Sequence, residues 1–70
     1  MGLFELVFPI VEKMLLQESW PEDDIDHYFE LAYRDADVSL YVSTNDRRVA
    51  YVIAQGVVER MRSLRSAESS

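Results

Sequence analysis

The chain has 70 residues, 49% of them apolar, with no cysteine, one histidine and a formal charge of −6. That is one small core, with no disulfide framework and no zinc cage to staple it. The acid excess speaks against a general nucleic-acid binder, and no cofactor is expected.

The first element lies in the apolar stretch Leu3 to Leu16, which Glu5, Glu12 and Lys13 interrupt. A membrane span wants roughly 20 uninterrupted apolar residues, and a secretory leader wants a basic start and a small-residue cleavage site. Neither pattern is met, so a cytoplasmic protein without membrane contact is expected. Phe4, Val7, Phe8, Val11, Met14 and Leu15 recur at three- and four-residue steps and predict a helical stripe. Pro9 interrupts it at a cost of about 3 kcal/mol in a helix interior. The helix is therefore expected to start near Pro9, where the missing donor is harmless, after an ordered lead-in. The stripe is more apolar than one small core covers, which points to a homodimer through it.

The second helix is introduced by Ser19-Trp20-Pro21-Glu22, which fits a capping box with the serine hydroxyl and the glutamate closing the first turn. Glu22, Asp23 and Asp24 then place negative charge at the positive end of the helix dipole. Ile25, Tyr28, Phe29, Ala32 and Tyr33 follow the pattern of a buried face.

From Asp37 onward two readings compete. Val38 to Ser43 alternates like a strand, and Arg48 to Ile53 would be its hairpin mate. The helical reading reaches further, because Val49, Val52, Ile53, Val57, Met61 and Leu64 continue one stripe past any strand, with Asn45 as the cap. Gly56 would end or bend that helix. The expected fold is all-α, a small three- to four-helix domain over residues 1–66 with a helix-turn-helix at 36–55 and a disordered tail at 67–70.

Two short helices joined at Ser43-Thr44 resemble the helix-turn-helix of the lactose-repressor family. Asp37, Val38, Tyr41, Val49 and Val52 stand at that pattern's places. The turn departs from it, with Ser43 where the family usually has glycine and Thr44 where it has a buried aliphatic residue. The resemblance implies a small transcriptional regulator whose second helix enters the major groove. By position, Asp46, Arg47 and Tyr51 would read bases and Arg48 would meet a phosphate. Gln55 shares the same exposed face, and Arg60, Arg62 and Arg65 would add backbone contacts.

The charge distribution supports a second function. Residues 1–42 hold ten acids against Lys13 and Arg34, a sum of −8, and residues 43–70 sum to +2. The acidic half would suit a protein-binding inhibitor or adaptor, one that imitates DNA included, with Asp23, Asp24 and Asp26 as contact residues. Trp20 is expected to staple the first two helices, and is also kept as a contact residue because tryptophan is common at interface hot spots. His27 has no nucleophile or further donors around it in sequence, so neither a catalytic residue nor a metal site is assigned. DNA and a protein are the two candidate partners.

Overall fold

The computed structural model describes residues 2–36 and 46–69. It is all-α there, with helices α1 (Leu3–Gln17), α2 (Glu22–Asp35) and α3 (Arg47–Ser69). Among the described residues no helix is long and apolar enough to cross a membrane.

Helix α1 starts six residues earlier than Pro9, with Gly2 in the cap position and the proline inside the helix. Burial decides this. Leu3 and Val7 lie upstream of Pro9 and are 2% and 0% exposed, which stabilises each by about 1.5–3 kcal/mol and offsets the proline's penalty. Pro9 itself points to solvent. The buried stripe is Leu3, Val7, Val11 and Leu15, which keeps Val7, Val11 and Leu15 of the expected one, adds Leu3, and leaves Phe8 and Met14 partly buried and Phe4 half exposed.

The link to α2 also differs from expectation. Ser19 does not cap α2; it closes α1. The Ser19 backbone N–H donates to Leu16 O and the Trp20 N–H to Leu15 O, at 3.0 and 3.1 Å, with Ser19 at φ 68°. These paired bonds make a Schellman motif, normally finished by glycine in that left-handed position. Trp20 and Leu15, the residues the motif brings together, are both buried. Pro21 occupies the cap position of α2, with extended backbone and no side-chain cap. The apolar face of α2 matches its pattern, with Ile25, Tyr28, Phe29 and Ala32 buried and Tyr33 partly so.

Residues 48–53, the second strand of the hairpin alternative, belong to α3. The helix continues through Gly56 rather than ending there, and runs on to Ser69 through positions 67–69 that composition marks as tail. Val57, Val58 and Met61 are buried just past the glycine, which outweighs its cost of about 1 kcal/mol. The buried stripe is Ala50, Ala54, Val57, Val58 and Met61. Val49 and Ile53 are only partly buried and Val52 is 68% exposed. Residues 37–45, which carry the first helix and turn of the expected helix-turn-helix and the cap Asn45, lie outside the described residues.

Candidate functional site

Three surfaces come together on this frame. The first is the opening of α3. Asp46 caps the helix: the Arg48 backbone N–H donates to Asp46 Oδ1 at 2.8 Å, and Arg48 Nε lies 3.8 Å from the same oxygen. Asp46, Arg47, Arg48, Tyr51 and Gln55 all face solvent there, so the structure gathers five of the eight residues expected to meet DNA. Arg62 is not among them. It lies fifteen residues further along α3, roughly 22 Å at 1.5 Å per residue, and is held elsewhere.

The remaining arginines of α3 bind the rest of the fold. Arg62 forks onto Glu18, with Nε 3.3 Å from Oε1 and Nη2 on Oε2. That hydrogen-bonded carboxylate pushes the guanidinium pKa up. Arg65 approaches Asp24 Oδ2 at 3.5 Å and lies over the Trp20 ring at 4.3 Å, close enough for a cation–π contact. Arg60 Nη1 reaches the Asp35 carbonyl at 3.5 Å.

Trp20 is therefore a packing residue, 7% exposed beneath Arg65 and edge-on to Tyr28 at 6.1 Å. It is withdrawn as a contact residue, because a partner has no access to a ring covered on its face. Asp24 is half-buried and engaged with Arg65, whereas Asp23 and Asp26 are exposed. His27 is exposed as well, edge-on to Tyr28 at 4.9 Å.

The second surface is a groove between α1 and α2, which the stripe analysis missed. Phe29 forms its floor, with Phe8 and Phe4 edge-on to it at 4.9 and 5.2 Å, and Tyr33 touches Phe4 edge-on at 5.3 Å. Phe4, Phe8, Phe29, Asp26 and Glu30 line a hollow of about 320 Å³. Phe4 is 47% exposed. Burial, and then the charge of Glu5, push the Tyr33 phenol above its ordinary 10.0. The signal was present in the sequence: Phe4 and Phe8 are one turn apart, and Asp26 and Glu30 are spaced the same way.

The third surface is a trough between α1 and α3 of about 450 Å³, lined by Glu5, Leu6, Pro9, Ile10, Arg47 and Tyr51 among others. It continues past Ile10 and Tyr51 toward Lys13 and Met14. No buried polar or charged side chain occurs among the described residues. No family model matches this chain, nor does any curated protein or solved structure.

Proposed function

We propose that this chain is a non-enzymatic protein-binding module, an inhibitor or adaptor, that meets its partner with the acidic side of its N-terminal half. The observation that carries the reading is how the charges are used. Arg62 and Arg65 are engaged with Glu18, Asp24 and Trp20 and hold α3 against the α1–α2 unit, and Arg60 reaches the Asp35 carbonyl. Glu22, Asp23 and Asp26 are left facing water on α2. A surface of one sign steers a partner of the opposite sign and rejects like-charged ones.

A second reading, a DNA-binding regulator, is favoured by the grouping of Arg47, Arg48, Tyr51 and Gln55 on the exposed first turns of α3. It draws on fewer cations than the sequence offered, since phosphate contacts supply most non-specific affinity and the distal arginines are engaged. A photoreactive benzoylphenylalanine at position 23 or at position 55, irradiated in the source cells, separates the two. The protein-binding reading expects one discrete protein adduct through position 23, lost on Asp26→Lys. Nucleic-acid adducts through position 55, with no protein adduct through position 23, would overturn it.

A further inference from the structure

We infer that the α1–α2 groove is the grip of this module, and that its occupant is a cationic amphipathic helix of another protein with one large apolar side chain resting on the exposed faces of Phe4 and Phe8. The inference rests on the protein-binding reading and sharpens it to a place and a chemistry. Phe4, 47% exposed, and the partly buried Phe8 pack edge to face on the covered Phe29, which fixes them in an open, preformed hollow that loses little entropy when filled. Large apolar and aromatic side chains are the anchors that dominate interface energies.

The rim chooses the partner's charge. Asp26 and Glu30 sit one turn apart on α2, about 6 Å along the axis, and both line the hollow. Arg34 offsets part of this, pairing with Glu30 at 3.2 Å in a fully solvated contact of little strength. Asp26 makes no ion pair among the described residues. Lysines or arginines three or four residues apart on a partner helix would straddle the anchor and meet this rim. The α1–α3 trough has no such bias, since Glu5, Lys13 and Arg47 mix signs along it. A second copy is a poor occupant: it brings a chain of −6 whose α3 arginines are largely engaged against an acidic face.

The test uses the full chain, 15N-labelled, titrated with a capped 14-residue Leu/Lys amphipathic helix and with its Leu/Glu counterpart. Amide shifts are expected to cluster at Phe4, Phe8, Asp26, Phe29 and Glu30 with the lysine peptide and to be absent with the glutamate peptide. Asp26→Lys should weaken binding at least tenfold and Phe4→Ser likewise. Asp35→Lys, the same charge change at the far end of α2, should change it less than threefold. Equal losses from Asp26→Lys and Asp35→Lys would mean attraction by overall charge and would overturn the groove. So would shifts centred on Ile10 and Tyr51, or shifts that grow with protein concentration before any peptide is added, the mark of a second copy. No binding by the lysine peptide, with the position-23 protein adduct intact, removes the groove and leaves the broader reading standing. Loss of that adduct in favour of DNA removes both.

Discussion

Ser19 shows how one backbone angle reassigns a residue. A serine three positions before a glutamate is a sound cap signal, yet at φ 68° it serves the helix behind it instead of the one ahead. The left-handed conformation costs a non-glycine residue about 1–2 kcal/mol, and serine accepts it here because the turn lets Trp20 and Leu15 bury together. Ser19→Gly removes the Cβ clash at the price of a more flexible unfolded chain. We expect a net gain of about 1 kcal/mol, read as a higher urea midpoint at unchanged slope; a loss of stability would show that the serine side chain is needed. Asp46 is the converse case. Its carboxylate, read from the sequence as a group that would approach bases, satisfies a free N–H at the start of α3, a role that the neighbouring Asn45 was expected to fill.

Among the elements, α2 was the most legible, because its apolar residues are large, evenly spaced and flanked by Pro21 and a run of acids. Helix α3 was read as a helix but in a rotated register. Val49 and Val52 outweigh Ala50 and Ala54 on any hydrophobicity scale, so the eye follows the valines. Close packing of helices favours small side chains where axes approach, and Ala50 and Ala54 are both 0% exposed. Gly56 has a different meaning. A Cβ built on it meets nothing within 4 Å, and the helix passes through it, so no close approach explains it. Gly56→Ala should stabilise by about 1 kcal/mol from helix propensity alone, raising the thermal midpoint without altering the far-ultraviolet spectrum. A destabilised variant would mean that the face around position 56 is covered.

The whole molecule is organised along α3, whose 23 residues span about 34 Å at 1.5 Å each, close to the longest dimension of 36 Å. Its last turns are pinned by Arg62 on Glu18, Arg65 on Asp24 and Trp20, and the Tyr28 hydroxyl donating to Glu68 Oε2. The hydrogen bond to Glu68, then burial, raise the Tyr28 pKa above its ordinary 10.0. A pKa higher in the folded than in the unfolded chain means that this anchor contributes fully below pH 10.0 and is lost as the pH rises through the folded value. Emission from Trp20, the sole tryptophan, should shift red over that alkaline range, and Tyr28→Phe should abolish the transition. A transition unchanged in Tyr28→Phe would place its origin elsewhere. Composition and periodicity alone determined that α1 and α2 would be helical and that the chain divides into an acidic and a basic part, because helical period and charge are properties of residues counted along a line, whereas the choice between helix and hairpin at residues 48–53 was left to the structure. Which arginines are engaged, that Trp20 is covered, and that two phenylalanines and two acids share one groove were decided only when α3 lay across the α1–α2 pair. Those relations join residues up to 45 positions apart, and no local pattern records the distance at which such groups will meet.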